Sequence, residues 1–463
     1  MINKSIIQKV IEASLTTGGD FAEVFVENKI NNAISMIGGK IEKSNSGVDF
    51  GIGIRIFNGL NCVYAYTNDN SEENLIKTAI NAAKAIKNPS HIGTSQIIRG
   101  KIKEINPIKI FPSQIAKSKK VELMKRAHYT AMNSYDSISQ VEIGYSDYEQ
   151  DVLIANSQGT YAQDKRVRTR TMIRCIANKN GETQSGNVGP GAHMGFEFYD
   201  NINIDDYARE AARIADTMVR AEYCPSGKMP VIIDNGFGGV IFHEACGHGL
   251  EATAVAKNTS IFSNKLGQKI ASDVVSAVDD GTIPNAWGSS NIDDEGNPTQ
   301  RNLLIENGIL KGYMVDILNG RRMNMAPTGS GRRQSYKYAP TSRMTNTFIL
   351  NGKSTLDEII SNTEYGLYAK KMGGGSVNPA TGDFNFSVIE GYIVKNGVIT
   401  KPVRGAALVG NGANVLLNID MVGCNLAHAQ GMCGSSSGSV PANVGQPVIR
   451  VKSITVGGRK SDI

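Results

Sequence analysis

The sequence has few cysteines, and they lack the spacing that stabilises small secreted proteins. Only six occur in 463 residues. They are Cys62, Cys175, Cys224, Cys246, Cys424 and Cys433. No two of them form a Cys-x-x-Cys pair, and they are spread along the whole chain. A disulfide framework is therefore not indicated, and the pattern favours the reducing cytoplasm as the location of the protein.

Long apolar runs and runs of like charge are also missing. The first residues, MINKSIIQKVIEASLTTGGD, interrupt their apolar positions with polar ones, so they lack the apolar core of a signal peptide. No stretch approaches the roughly 18 apolar residues that a membrane-spanning helix needs. Charges are dispersed and the net charge is only +6, which argues against a nucleic-acid-binding tail. We expect neither a membrane nor a nucleic acid as a partner.

What the chain does contain is enough apolar sequence for more than one globular core. Hydrophobic residues make up 40% of the chain and charged residues 20%, over a length that exceeds one ordinary core. Apolar residues recur at helical spacing at the amino terminus and near 72–87, 115–133 and 204–220. Apolar and polar residues alternate as in strands around 21–28, 33–38, 49–57, 61–67 and 139–176. This mixture predicts the α+β fold class.

We expect three sections along the chain. Residues 1–110 form an amino-terminal α+β domain, with a connector over about 88–115, and residues 111–222 form a central α+β section. Residues 223–463 form a larger, sheet-rich carboxy-terminal domain that carries the metal-binding helix described below. Strands are expected in this domain at 229–233, 303–306, 346–350, 386–395 and 447–455.

Several polar features are better explained by structure than by chemistry. The stretch 165–170, KRVRTR, places cations on one strand face, and we expect a solvated or acid-paired face rather than a site for substrate carboxylates. His193 lies in a loop with glycine and proline and is expected at the surface. Glycine-rich loops at 329–333 and 373–375 lack a Walker pattern, which favours tight turns over a phosphate site.

The most specific stretch is HEACGH, in which His243 and His248 flank Glu244 in a His-Glu-x-x-x-His arrangement. Imidazoles bind zinc, and a glutamate beside a zinc-bound water can accept its proton. On a regular helix the i, i+5 spacing separates the two histidines by roughly 140°. Both can therefore face one metal only if a π-type turn or a helix break occurs near Gly247. Two unrelated histidines near a helix end fit the spacing alone equally well.

A third ligand must come from elsewhere, because catalytic zinc usually has three protein ligands and one open position. Glu251 lies shortly after the motif, and Cys424, His428 and Cys433 lie near the carboxy terminus. Cys433 stands out because it lies in a glycine-flanked loop that can bring a thiolate close to a metal. We interpret Cys246 as a structural residue.

Long, ordered stretches of the chain carry a resemblance that spans most of its length. They are GDFAEVFVE at 19–27, GVDFGIGIRI at 47–56, HEACGHGLEA at 243–252, TGSGRRQSY at 328–336, RMTNTFI at 343–349 and MVGCNLAHAQGMCGSSSGSVPANVGQP at 421–447. Together they resemble the TldD/PmbA peptidases of bacteria and archaea. One departure is Ala252-Thr253, where many members have Gly-Asp.

The resemblance implies a site. In it His243, His248 and Cys433 bind Zn²⁺, and Glu244 is the general base that activates a zinc-bound water. Cys424 occupies a variable position in this family and is not expected to be a ligand. The implied function is zinc-dependent hydrolysis of unfolded or extended peptides inside a cavity that a dimer encloses.

The resemblance also implies a way of binding substrate and a partner. A peptide substrate in strand form would pair with a sheet edge, with Arg332, Arg333 and Asn346 as candidate lining residues. The chain would form a homodimer, or a heterodimer with a paralogous subunit that has lost the metal motif. The alternatives are a non-catalytic peptide-binding partner subunit and a nucleic-acid-associated regulator. The chain has no basic cluster with interleaved aromatic residues, which argues against the regulator.

Overall fold

The computed structural model describes residues 2–86, 95–100, 102–378 and 380–459. The fold is α+β, as predicted, with long antiparallel strands in the first half and a sheet-rich second half. Within these ranges, no helix is both long enough and apolar enough to cross a membrane.

The amino-terminal and central sections share one continuous sheet. Its strands are β1 Phe21–Ile37, β2 Lys40–Asn58, β3 Asn61–Thr67, β4 Ile98–Arg99, β5 Ile138–Asn156, β6 Thr160–Lys179, β7 Glu182–Val188 and β8 Gly191–Ala192. Their order is β3-β2-β1-β5-β6-β4, and β7 and β8 also pair with β6. β1 and β5 pair antiparallel from Glu23 to Ile37 of β1, so main-chain hydrogen bonds join the two sections.

Four helices pack on this sheet in two groups. They are α1 Lys4–Ser14, α2 Glu72–Ala83, α3 Lys117–Met132 and α4 Ile204–Arg220. α1 and α2 begin where the side chains of Asn3 and Ser71 accept hydrogen bonds from main-chain N–H groups of the first turn. Their apolar faces form one core cluster with β1 and β2. α3 and α4 form a second cluster with β5 and β6.

The carboxy-terminal domain contains two larger sheets that enclose its core and a small two-stranded sheet, β14-β15. Its strands are β9 Glu222–Tyr223, β10 Gly227–Ile233, β11 Ala277–Asp280, β12 Arg301–Glu306, β13 Ile309–Leu310, β14 Gly331–Arg332, β15 Thr341–Ser342, β16 Asn346–Ile349, β17 Tyr365–Val377, β18 Asp383–Lys395, β19 Val398–Arg404, β20 Ala407–Asn411, β21 Ile419–Val422, β22 Ala427–Ser435, β23 Gly438–Gln446 and β24 Ile449–Gly457. One sheet has the order β17-β10-β24-β20-β18-β19-β9, with β21 on β24. The other has the order β13-β12-β11-β16-β23-β22, which leaves β22 at its edge.

The helices of this domain are short. They are α5 Val240–Ala245, α6 Ala252–Val255, α7 Ile317–Met323, α8 Leu356–Ser361 and α9 Gly412–Asn418. Buried residues of α5 belong to the same core cluster as residues of β10, β17, β18 and β23. α5 is therefore held by both sheets of the domain.

The lengths of the first strands differ most from the sequence-based expectation. The strands expected at 21–28 and 33–38 are one strand, and the strand expected at 49–57 is the end of the longer β2. Residues 40–48 of β2 are exposed, so their side chains do not alternate between core and solvent and carry no strand signal. The helix expected over 72–87 ends at Ala83. The connector expected over 88–115 lies partly outside the described residues.

Two features expected at the surface are buried instead. His193 is fully buried, with Nδ1 2.9 Å from the carbonyl oxygen of Ser289. Arg166 is acid-paired, as expected, and donates to Asp294 at 2.5 Å. It is not solvated, and neither is Arg168, which donates to the same Ser289 carbonyl at 2.6 Å. The expectation of a solvated face was wrong because this face of β6 packs against the carboxy-terminal domain.

Candidate metal centre

α5 holds the first histidine of the motif and is buried on most sides. Val240, Ile241 and Phe242 belong to the domain core. A tight turn over 236–239 leads into the helix and approaches β23 so closely that a Cβ on Gly239 would lie 2.5 Å from the Gly445 main chain. The absence of a side chain at Gly239 therefore sets the position of α5 on β23.

The helix breaks between the two histidines. Cys246 has φ −128° and ψ −48°, outside the helical range, and a 3₁₀ turn over Gly247–Leu250 follows it. A Cβ on Gly247 would lie 2.3 Å from Sδ of Met344. Glycine at this position therefore permits the turn to pack against Met344. Of the two arrangements compatible with the i, i+5 spacing, the chain uses the helix break and not a π-type turn.

The break brings His243 and His248 towards Cys433 on the edge strand β22. Nε2 of His243 lies 3.2 Å from Sγ of Cys433, and Nε2 of His248 lies 3.4 Å from the same sulfur. The three candidate ligand atoms all lie within 4.8 Å of one another. In a tetrahedral zinc site the sulfur and nitrogen ligands are separated by roughly 3.5 Å. The donor atoms and the two sulfur–nitrogen distances therefore fit Zn²⁺.

The charges in this group also fit a cation. Burial alone would raise the pKa of the Cys433 thiol, but the imidazoles of His243 and His248 outweigh it and hold the pKa well below its usual range. Burial would lower the pKa of His248, but the Glu251 carboxylate and the Cys433 sulfur hold it well above its usual range. Cysteine binds zinc as the thiolate, which is the form that these neighbours stabilise.

Glu251 lies behind His248 and not among the three ligand atoms. Its Oε2 lies 3.2 Å from Nδ1 of His248, on the side of the ring opposite Cys433. Its Oε1 lies 3.7 Å from Nε of Arg343, which is fully buried and also donates to the carbonyl oxygen of Cys433. Carboxylates in this position commonly fix the tautomer and orientation of a metal-binding histidine. Sequence reasoning considered Glu251 only as a ligand and missed Arg343, whose RMTNTFI segment carries no local signal for this contact.

Glu244 lies on the open side of the site. Its Oε2 is 3.6 Å from Nε2 of His248, and its side chain is 25% exposed. It lines a cavity of about 450 Å³ together with His248, residues 376–377 of β17 and residues 434–435 of β22. A carboxylate at this place can contact both a metal-bound group and solvent.

The remaining candidates lie apart from this group. Cys424 is exposed. His428 packs edge-on against Phe348 with ring centroids 4.7 Å apart. Cys246 is fully buried, which raises the pKa of its thiol, as suits a structural residue. Across the described residues, no further cluster of three or more histidine, cysteine or acidic side chains is close enough to hold an ion.

The three candidate lining residues are buried elsewhere, so that expectation was wrong. Arg333 is ion-paired with Glu23 of β1 at 2.5 Å. Arg332 donates to the carbonyl oxygen of Met344 at 2.5 Å, and Asn346 donates to main chain and side chain within the domain. These polar groups stabilise packing between and within the sections, because buried polar groups need such partners.

The sequence matches models of three domains described for PmbA/TldA metallopeptidases. Domain 1 matches residues 22–86, the central domain residues 111–219 and the C-terminal domain residues 226–458. The metalloprotease TldD homolog of Buchnera aphidicola subsp. Acyrthosiphon pisum is 36% identical, covering 99% of this chain and 96% of that protein. The homolog of Haemophilus influenzae is 36% identical, covering 95% and 93%. A metalloprotease of Methanocaldococcus jannaschii is 32% identical, covering 97% and 99%.

Solved structures with the same fold cover nearly the whole chain. TldE from Thermococcus kodakarensis has a TM-score of 0.78 at 19% identity, covering 98% of this chain and 100% of that one. A Thermotoga maritima protein described as a suggested DNA gyrase modulator has a TM-score of 0.81 at 20% identity, with the same coverage. At these identities the likeness concerns the fold alone. The three domain matches and the full-length metalloprotease relatives show that this chain belongs to the PmbA/TldD metallopeptidase family.

Proposed function

We propose that this chain is a zinc-dependent peptidase that hydrolyses unfolded or extended peptides. The observation that carries the proposal is the convergence of His243, His248 and Cys433 within 4.8 Å, next to a cavity that Glu244 lines. A relative from Saccharolobus solfataricus, 28% identical over 97% of this chain, is named a zinc metalloprotease TldD homolog. That name supports zinc as the metal.

His243, His248 and Cys433 would hold the metal, and Glu251 would keep the ring of His248 in place. When bound, zinc supplies a Lewis acid that polarises the scissile carbonyl and lowers the pKa of water. Glu244 would accept a proton from the attacking water and return it to the departing amine nitrogen. The partial exposure of Glu244 allows both transfers.

The substrate would bind as a strand in the groove between β17 and β22. Both strands line the cavity at the metal site and also a second, larger cavity further along the same segments. β22 is an edge strand, and β17 pairs with β10 only over residues 367–369. Beyond residue 369 the edge of β17 that faces away from β18 has no strand partner within the described residues. It could pair with a peptide main chain, which gives affinity with broad sequence tolerance. On β22 the carbonyl oxygens of Gln430 and Gly431 already accept from Arg170 and Trp287.

The active form would be a dimer, either of this chain or with a paralogous subunit such as a TldE-like protein. Residues 40–48 of β2 are exposed, and β3 pairs with β2 only from Ile52 onward. This leaves a long strand edge that a second chain can cover. We place the protein in the cytoplasm, where its six free cysteines would stay reduced.

The test combines metal analysis with peptide cleavage on the same samples. The wild type should hold about one zinc per chain and cleave an unstructured peptide. His243→Ala and Cys433→Ala should lose both, and Cys424→Ala, at the exposed cysteine, should lose neither. Glu244→Gln should keep zinc and lose about 10²–10⁴-fold in rate.

Two other outcomes would point to the alternatives. No zinc after reconstitution would refute the metal mechanism and favour the partner subunit. Salt-dependent DNA binding without cleavage would favour the nucleic-acid-associated regulator.

A further inference from the structure

The larger of the two cavities lies between the central section and the carboxy-terminal domain. Its volume is about 630 Å³, and it is lined by β6, β7 and α4 on one side and by β17 and β22 on the other. Its β22 residues, His428 to Met432, immediately precede Cys433. A peptide that reaches the metal site along this groove therefore passes the cavity.

Two half-buried cations line the cavity, and both have only neutral hydrogen-bond acceptors. Arg170 donates to the carbonyl oxygens of Gly189 at 3.3 Å and Gln430 at 3.0 Å. Lys371 donates to the carbonyl oxygen of Asn187. Neither cation has a carboxylate within ion-pair distance among the residues that the structure describes. Carbonyl groups satisfy the N–H donors but do not neutralise the charge.

The nearest carboxylates are already paired. Glu210 lines the cavity, but Arg213 donates to both of its oxygens at 2.8 Å. Glu390 accepts from the same guanidinium at 2.9 and 2.8 Å and lies 3.5 Å from Nζ of Lys370. Burial lowers the pKa of Arg170 and is the largest influence lowering the pKa of Lys371. The cavity thus has an excess of positive charge.

We propose that this cavity is a subsite for a carboxylate of the peptide substrate, bound by Arg170 and Lys371. The proposal rests on the proposed peptidase function. Gln430, which Arg170 contacts, lies three residues from Cys433 along β22, or roughly 10 Å at the rise of a strand. The carboxylate would therefore lie about three residues from the bond that is cleaved.

The carboxylate can come from two sources that share this chemistry. It can be the carboxy terminus of the peptide, which would favour release of a short carboxy-terminal fragment. It can also be an aspartate or glutamate side chain within a longer peptide. Trp287 donates to the carbonyl oxygen of Gly431 at 2.8 Å. Arg170 of the central section lies over the Trp287 ring and donates to the carbonyl oxygen of Gln430, so the central section contacts β22 at this end of the groove.

The test measures binding first and cleavage second. Fluorescein-labelled, unstructured peptides are titrated with zinc-loaded Glu244→Gln protein. The two peptides of one pair have the same sequence and end in a free carboxylate or in an amide. In a second series of peptide pairs, Asp is compared with Asn at each successive position. At one position of the carboxylate, we expect the carboxylate peptide to bind about tenfold more tightly than its amide counterpart, which is about 1.4 kcal/mol. High salt should reduce this difference.

Lys371→Gln and Arg170→Gln, each added to this background, should remove the preference, and Lys371→Arg should retain it. Arg174→Gln is the matched control, because Arg174 lies on the same strand and is exposed. Equal affinities for every carboxylate and amide pair would overturn the subsite, and so would a preference that survives both charge-removing changes. Tight binding to the wild type with no cleavage would instead refute the proposed function.

Discussion

Replacing Glu251 with glutamine tests whether this carboxylate holds His248 ready for the metal. Glu251→Gln keeps the size of the side chain and a hydrogen-bond acceptor. It removes the negative charge that lies 3.2 Å from Nδ1 of His248 and 3.7 Å from Nε of the buried Arg343. The three candidate ligand atoms themselves stay in place.

The expected loss is in metal affinity. Removing an outer partner of a metal-binding histidine typically costs about 10–100-fold in affinity, which is about 1.4–2.7 kcal/mol. The upper end applies here, because Glu251 is only 4% exposed and water cannot replace it. Arg343 then has no carboxylate within 4 Å among the described residues, so we also expect a lower melting temperature.

The assay is competition for zinc against a chromophoric chelator at fixed pH, with thermal melting of the zinc-free and zinc-loaded protein. Glu244→Gln is the informative comparison, because Glu244 lies near the other nitrogen of His248, at 3.6 Å. It should keep wild-type zinc affinity and lose turnover. Wild-type zinc affinity in Glu251→Gln, together with weakened binding in Glu244→Gln, would show that the two roles are assigned the wrong way round.

Three further predictions concern stability. Gly239→Ala places a Cβ 2.5 Å from the main chain of β23 and should cost about 1–3 kcal/mol in urea unfolding, whereas Gly47→Ala, with open space around it, should cost far less. Arg333→Met leaves two buried carboxylates, Glu23 and Glu295, with Arg55 as the one cation paired to both. It should cost about 3–5 kcal/mol; a loss below 1 kcal/mol would contradict this. Burial raises the pKa of Asp279 from 3.8 to about 6, so the native state keeps a proton that the unfolded chain releases. Asp279 should therefore contribute a fall of about 3 kcal/mol in the free energy of unfolding as the pH rises from about 4 to about 6. Asp279→Asn should remove this part and leave the part that Asp293 contributes.

Local sequence patterns predicted the features that depend on local spacing. α4 lies at 204–220, where apolar residues recur at helical spacing. His243 and His248 drew attention because two of only six histidines flank a glutamate, and the structure brings both rings to Cys433. The alternation of apolar residues did not reveal the full length of β2, since residues 40–48 are exposed. It divided β1 in two, because the polar residues between 28 and 32 interrupt the alternation.

Contacts between distant parts of the chain could not be predicted in this way. Arg333 pairs with Glu23 across 310 residues of sequence, and nothing near either residue distinguishes them from surface charges. His193 and Arg168 are buried because another section covers them. Its spacing made Glu251 a candidate ligand, whereas the turn after Cys246 places it against Nδ1 of His248.

Because the amino-terminal and central sections share one sheet, they form one folding unit, although they are two separate sections of the sequence. A cut near residue 110 would strip β1 of its β5 partner from Glu23 to Ile37 and leave two long, unpaired edges. Such edges recruit other chains, so isolated fragments should aggregate and not fold. The two sections should also melt in a single cooperative transition and acquire amide-exchange protection together. Replacing one of the two sections with that of a related protein should therefore destabilise the fold more than replacing both together.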